Sequence, residues 1–464
     1  MTALLSATDP RPVHFMGIAG AGMSALAELF VRRGVQVTGC DSNPSDEAVE
    51  DLARIGVHVS AGHNAEHIVG ARALVVTSAV PKEHLEILAA RNAGLQVVRR
   101  AEALGEATKD GEVVAVAGTH GKTTTTVLTT NALAAAGLDP TALVGGRVSE
   151  WSSNLRAGAD ALFVVEADEY DRSFLALTPT IAVITNVEAD HLDIYRDLDD
   201  IRGAFQAFLT PARAVVLCAD DPGADSLAVN TGAEVVRYGI DNPEARVVAG
   251  DVHLTSEGAV FSLHWDGKCL GDVNLQVTGM HNVRNALAAI ASGLTLGATL
   301  PAMLPGLQRF RGVERRFQRL GETRGISVVD DYAHHPTEIR ATLAAARAAF
   351  PGRRLVAAFQ PHLYTRTRDF AREFGEALAN ADRVFLTEIY PAREKAIPGV
   401  TAKLVKDAVE HFGGDVVWFG ERQQLAAAIA ENVADGDVVI TLGAGDITRT
   451  GHELLSQLRA DSRR

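Results

Sequence analysis

The chain has 464 residues, with 44 basic and 58 acidic side chains and a formal net charge of −14. That length exceeds what one hydrophobic core supports and predicts about three domains. The acidic balance excludes binding driven by counterion release, so no nucleic-acid partner is expected, whereas an anionic small ligand needs only a local cationic pocket. Cys40, Cys218 and Cys269 are far apart and in no metal-ligand spacing, which predicts free thiols in a reducing, cytoplasmic setting. MTALLSATDPR has no signal-peptide pattern, and the most apolar helix candidate, 286–300, is short and interrupted by Ser292 and Gly293. No membrane association is expected.

From residue 13, short apolar runs alternate with helical patterns: VHFM then SALAELFVRR, VQVTGC then EAVEDLARI, LVVTS then HLEILAARN. This predicts a parallel sheet with crossover helices. Between its first strand and helix stands GIAGAG, with Gly17, Ala19, Gly20 and Gly22. Backbone without Cβ atoms at a helix start can approach a pyrophosphate, and Asp41, after the next strand, is placed to reach a ribose. Ala19 breaks the dinucleotide template, so a nucleotide loop and a plain strand–helix turn both remain open, as does a nicotinamide dehydrogenase. EALGEATKDGE, rich in charge and glycine, reads as a linker.

VVAVAGTHGKTTTT, residues 113–126, opens a second α/β unit. It lacks the first glycine of the full phosphate-loop pattern, because Val116 stands there. What remains still follows a buried strand and precedes a helix predicted over 123–136. The N–H groups of Gly118, Thr119, His120, Gly121 and Lys122 can cradle a triphosphate. Lys122 would neutralise its charge and the Thr123 hydroxyl would face Mg²⁺. Glu166 ends the strand ALFVVE, with Asp168, Glu169 and Asp171 beyond it; Asn186 ends IAVITN, with Glu188, Asp190 and His191 beyond it. Two acid clusters at strand ends beside a phosphate loop predict a metal–nucleotide site. A helix is expected near 201–208, and VVAGDVHL, AVFSLHW and DVNLQV alternate as an antiparallel excursion does.

GMHNVRNALAAI, residues 279–290, predicts a helix start with Asn282 and Asn285 close on one face, for capping or for reading an adenine edge. LQRFRGVERRFQRL marks a second boundary, its Arg316 free to be solvated or to clamp a phosphoryl group. Beyond it, VVDDYAHHPTE, FQPHLYTRT and TLGAGD each leave a strand of a third α/β unit. They place Asp331, Tyr332, His334, His362 and Arg366 at one sheet edge, where ligands gather.

Taken in order, GIAGAGMSALA, GTHGKTTTT, EADE, NVEADHLD, HNVRNA, DDYAHHPTE, FQPHLYTRT and GAGD resemble the Mur ligase family over residues 13–447. The resemblance implies an α/β protein of three domains. Residues 1–108 would form a Rossmann-like UDP-sugar domain, 109–315 a central P-loop ATPase domain, and 316–464 a Rossmann-like domain receiving the amino acid. It implies the branch that joins L-alanine to UDP-N-acetylmuramate with ATP and Mg²⁺, as monomer or homodimer; a recycling ligase taking a preformed peptide is the nearest alternative.

By the same resemblance, Gly17, Ala19, Gly20, Gly22, Asp41 and Ser78 would meet the UDP-sugar, and Thr123, Glu166 and His191 the Mg²⁺. Asn282, Asn285, Arg316 and Asp331 would join residues 118–124 around ATP. Tyr332, His334, His362 and Arg366 would receive the amino acid and the acyl end. Lys122, His191, Arg316 and His334 would be catalytic, with His191 and His334 alternative bases. Leu363 and Tyr170 depart from the family's usual residues, and no lysine lies between Lys122 and Lys268 to be carbamylated as in sibling enzymes.

Overall fold

The computed structural model describes residues 4–77, 80–227, 232–240, 242–392 and 394–461. Two compact units divide the chain. One comprises Met1–Val248, Leu263–Gly271 and Arg284–Leu307; the other Ala249–Ser262, Asp272–Val283 and Gln308–Arg464.

The first unit begins with a five-stranded parallel sheet in the order His58–Ala61, Val37–Asp41, Val13–Met16, Ala73–Val76, Gln96–Arg99. Val13–Met16 and Ala73–Val76 are buried throughout, as a parallel strand covered on both faces requires. The chain order turns back at Val13–Met16, so the glycine cluster leaves the sheet at its switch point, where open α/β sheets bind ligands.

The expected linker is instead largely a helix, Arg100–Thr108. Glu102 accepts the Arg99 N–H at 2.8 Å, and Ala103, Leu104 and Ala107 supply a buried face, so capping and spacing override the polar composition.

The same unit carries a run of strands in the order Glu234–Ile240, Ala214–Cys218, Ile181–Ile184, Glu112–Ala117, Ala159–Glu166, Pro140–Val148, Ser153–Arg156. All neighbours are parallel except the last pair. Glu112–Ala117 lies between strands that come later in the chain on both sides, a second switch point, and the phosphate loop leaves from it. Strands Val247–Leu254, Ala259–Trp265 and Lys268–Leu275 follow. The last two meet at a tight turn with Asp266 and Gly267 at φ 48° and 76°, the positive pair that a two-residue hairpin favours.

Ser292 and Gly293 do not interrupt their helix, which runs from Met280 to Thr295. Ser292 bonds back to the Ala288 carbonyl at 2.7 Å, and a Cβ at Gly293 would collide with Met303, so the glycine serves close packing. Among the described residues no helix is long and apolar enough to cross a membrane, and all three cysteines are free, Cys269 alone being exposed.

The second unit holds a six-stranded sheet in the order Gln318–Thr323, Ile326–Asp331, Val438–Leu442, Leu355–Phe359, Arg383–Thr387, Val416–Gly420. Only its first pair is antiparallel. Ile326–Asp331, Leu355–Phe359 and Val438–Leu442 are wholly buried, and their parallel pairing puts their exits at one sheet edge.

Candidate active site

The phosphate loop turns on two glycines. Gly118 has φ 136° and Gly121 φ 82°, conformations that side chains resist. A Cβ at Gly118 would collide with Thr185, and one at Gly121 would stand 2.7 Å from Asn285 Oδ1. The loop is fastened to the segment after Ile181–Ile184. Thr119 N–H donates to the Asn186 carbonyl at 3.1 Å, His120 N–H to Asn186 Oδ1 at 2.8 Å, and Thr185 Oγ1 to the His120 carbonyl at 2.6 Å. Glu188 N–H donates to Thr119 Oγ1 at 2.9 Å, and His120 Nε2 lies 3.6 Å from Glu188. Two N–H groups expected to meet phosphate thus hold the loop in shape. The first turn of helix Lys122–Ala135, which has no intrahelical acceptors for its N–H groups, is left to face an anion.

Lys122 Nζ donates to both Glu169 oxygens, at 2.9 and 2.8 Å, and to the Gly118 carbonyl at 2.6 Å. Burial opposes its charge, but Glu169, Asp168 and Glu166 together outweigh it and raise its pKa above the ordinary lysine value. Glu169 is itself pinned, because Tyr195 donates its hydroxyl to the Glu169 carbonyl at 2.6 Å. Glu169 is expected only as a member of the acid cluster in EADE, and its pairing with Lys122 is not foreseen.

Thr123 Oγ1 donates to Glu166 Oε1 and Oε2 at 3.1 and 3.0 Å, and Gly145 N–H to Glu166 Oε2 at 2.7 Å. A hydroxyl and a carboxylate side by side suit a hard cation such as Mg²⁺. His191, at φ 53°, directs Nε2 to within 3.7 Å of Glu169 and of Asp190, with its ring edge-on to Tyr170 at 5.1 Å.

The other threonines have separate tasks. Thr124 is buried in the first turn, Thr125 donates to Asn285 Oδ1 at 3.1 Å, and Thr126, Thr129 and Thr130 bond back to their own helix at 2.9, 2.7 and 2.7 Å.

At the first switch point Gly17 has φ 80°, and its N–H donates to the Cys40 carbonyl at 2.8 Å. Ala19 N–H donates to Asp41 Oδ2 at 3.1 Å, and Gly20 precedes the helix Ala21–Arg32. Gly22 lies against Arg100, whose Nη1 would stand 2.9 Å from a Cβ there. A cavity of about 60 Å³ runs from Gly22 and Arg100 to Gly145, Glu166 and Asp168. Arg100, 3.9 Å from Asp168, is a cation that sequence reasoning missed, because it precedes the expected linker and belongs to none of the motifs. Ser78 lies outside the described residues.

In the second unit Asp331 accepts the Phe317 N–H and the Ala333 N–H, both at 2.7 Å. Burial pushes its pKa up to about 6 against the opposing pull of Arg316. The guanidinium groups of Arg315 and Arg316 lie 4.7 and 5.0 Å from the Tyr332 ring centre. Arg316 and His334 share Glu338, at 3.6 and 3.2 Å, and His334 Nδ1 meets the Tyr332 carbonyl at 2.9 Å. The His334 and His362 rings lie 5.9 Å apart. Arg366 is buried in the first turn of helix Tyr364–Leu378, entered through Leu363 at φ 71°. Asn282 Nδ2 donates to the Thr278 carbonyl at 2.8 Å. Asp331, Tyr332, His334 and Arg316 are therefore one cluster, with His362 beside it.

Sequence profiles agree in order with these sheets. "Mur ligase family, catalytic domain" matches residues 12–111, "Mur ligase middle domain" residues 116–293, and "Mur ligase, glutamate ligase domain" residues 315–445. The UDP-N-acetylmuramate--L-alanine ligase of Salinibacter ruber is 44% identical over 97% of this chain and 96% of its own. That of Rubrobacter xylanophilus is 46% identical, over 96% and 100%. The solved UDP-N-acetylmuramate-alanine ligase of Thermotoga maritima superposes with a TM-score of 0.83 at 30% identity, covering 97% and 99%. Two glycine corners, a hydroxyl–carboxylate pair and a third sheet edge thus occur in a chain matched along nearly its whole length by such relatives: it belongs to the Mur ligase family.

Proposed function

We propose that this chain joins L-alanine to the lactyl carboxylate of UDP-N-acetylmuramate, converting ATP to ADP and phosphate, in peptidoglycan precursor synthesis. The observation that carries the reading is the cradle of Lys122, Thr123 and Glu166 at the corner Gly118–Gly121, with Glu166 also lining a cavity shared with Gly22 and Arg100. The relatives' names support the substrate pair. Residues 1–108, 109–315 and 316–464 would serve the UDP-sugar, ATP and the amino acid in turn, in a cytoplasmic monomer or homodimer.

A carboxylate does not condense with an amine in water because oxide is a poor leaving group. Transfer of the γ-phosphoryl group makes an acyl phosphate, which the neutral amine of alanine attacks to expel phosphate. The protein's part is positioning and electrostatics. The first-turn N–H groups of Lys122, Thr123 and Thr124 bind phosphate oxygens, and Lys122 turns from Glu169 to the transferred group. Thr123 and Glu166 hold Mg²⁺, with His191 as a third contact. Mg²⁺, when bound, neutralises phosphate charge. Arg100 holds the acid end of the sugar, and Gly17, Ala19, Gly20, Asp41 and Ser78 its nucleotide. Asn282, Asn285, Arg316 and Asp331 contact ATP, and Tyr332, His334, His362 and Arg366 the incoming amino acid. Either His191 or His334 takes the amine proton.

Phosphate release should require ATP, Mg²⁺, UDP-N-acetylmuramate and L-alanine together. Release that needs a peptide in place of alanine would assign the recycling reaction instead. NADH formation with a hydroxy acid would point to a dehydrogenase, a reading that leaves the Lys122 corner without a task.

A further inference from the structure

The N-terminal sheet carries a group of side chains that ligation does not use. His14 lies on Val13–Met16, Cys40 on Val37–Asp41, His67 in the turn Ala65–Ile68 and Glu86 in the first turn of helix Leu85–Asn92. Each offers one donor atom, and these four atoms lie within 4.8 Å of one another. His67 Nδ1 is 2.9 Å from Glu86 Oε1, and Cys40 Sγ is 3.3 Å from Glu86 Oε2. His63 Nδ1 flanks them, 3.3 Å from Cys40 Sγ.

Two features separate this group from an ordinary buried network. His14 Nδ1 pairs with Thr38 Oγ1 at 2.9 Å, while its Nε2 is buried with no hydrogen-bond partner although the residue is only 2% exposed. A hydrogen bond from one ring nitrogen that fixes the other as a lone-pair donor is how proteins prepare histidine ligands.

Secondly, the spacing fits. Tetrahedral zinc, with bonds of about 2.0–2.3 Å, sets its donors roughly 3.3–3.7 Å apart. The Cys40–Glu86 separation already has that length. Nitrogen, sulfur and carboxylate oxygen together favour zinc over magnesium or calcium, which take oxygen alone. His67, its side chain 20% exposed, leaves a way in.

We propose that His14, Cys40, His67 and Glu86 bind a zinc-class divalent cation, which ties two strands, a turn and a helix of the N-terminal domain together.

The full-length protein, stripped with a chelator, would be titrated with Co²⁺ in excess Mg²⁺, which saturates oxygen-only sites. One equivalent should give a near-ultraviolet thiolate–cobalt band and visible bands of tetrahedral intensity. Zn²⁺ should displace it and raise the unfolding temperature. Cys40→Ser should abolish the thiolate band, and His14→Gln should weaken binding by about tenfold or more. Absence of the band in the natural protein would overturn the proposal, as would its survival in Cys40→Ser, which would assign it to exposed Cys269. Should Cys40→Ser not fold, His67→Asn tests the site at a less buried position: about tenfold weaker binding supports it, and unchanged affinity refutes it.

Discussion

The two glycine corners of the first unit solve one problem in opposite ways. Each follows a buried parallel strand at a switch point and ends in a helix N-terminus. At Gly17–Gly22 an acid closes the turn, with Asp41 accepting the Ala19 N–H, and the helix begins after Gly20 in ordinary extended geometry at φ −68°. At Gly118–Gly121 a neutral amide, Asn186, closes it, the helix begins from left-handed Gly121, and a buried lysine is held ready on Glu169. An acid beside a loop repels phosphate and suits a sugar hydroxyl, whereas an amide with a lysine suits a transferable phosphoryl group. Under the proposed function, the same backbone device would serve recognition at one corner and chemistry at the other.

The largest expected break in this contrast is Lys122→Ala. Loss of the cation at the transferred group should lower phosphate release by about 10³-fold, while titration with UDP-N-acetylmuramate should change little. Retained turnover would make the two corners equivalent. Next comes Gly118→Ala, whose Cβ meets Thr185 and whose φ of 136° resists a side chain. It should cost about 2–3 kcal/mol of stability in denaturant titration. Gly20→Ala, with φ −68° and 3.5 Å of room to the Gly17 carbonyl, should be within about 0.5 kcal/mol of neutral. Equal losses would show that left-handed geometry is not what distinguishes the loops.

Thr123→Val keeps the shape and removes the hydroxyl beside Glu166. The Mg²⁺ concentration for half-maximal rate should rise by about tenfold; an unmoved metal titration would remove Thr123 from the metal set. The smallest effect belongs to Asp41→Asn, which weakens the Ala19 contact without emptying the site. The KM for UDP-N-acetylmuramate should rise by about three- to tenfold, the worth of one ordinary hydrogen bond, with the KM for ATP constant. A change in the ATP value instead would tie Asp41 to the wrong corner.

Much of the architecture could be read along the chain, because buried parallel strands are continuous apolar runs and helices keep their period. VVAVAGTHGKT announced both its corner and its cation, and Glu166 and Asp331 were visible as acids at strand ends. Composition misled where local bonding prevailed. Arg100–Thr108 is a helix because Glu102 caps it and alanines pack beneath it, and Ser292 and Gly293 continue theirs because a hydroxyl bonds back and a neighbouring helix needs the room.

Only the tertiary structure decided how the polar atoms pair. Asn186 rather than phosphate takes the Thr119 and His120 N–H groups, Lys122 rests on Glu169, and Arg100 reaches Gly22 from a segment about 80 residues away in a chain whose strands are re-ordered in space. Residue types and spacing along a chain determine which groups are available and which face of an element they occupy. Which donor meets which acceptor depends on strand order and side-chain packing, and those are set by burial of the whole sheet.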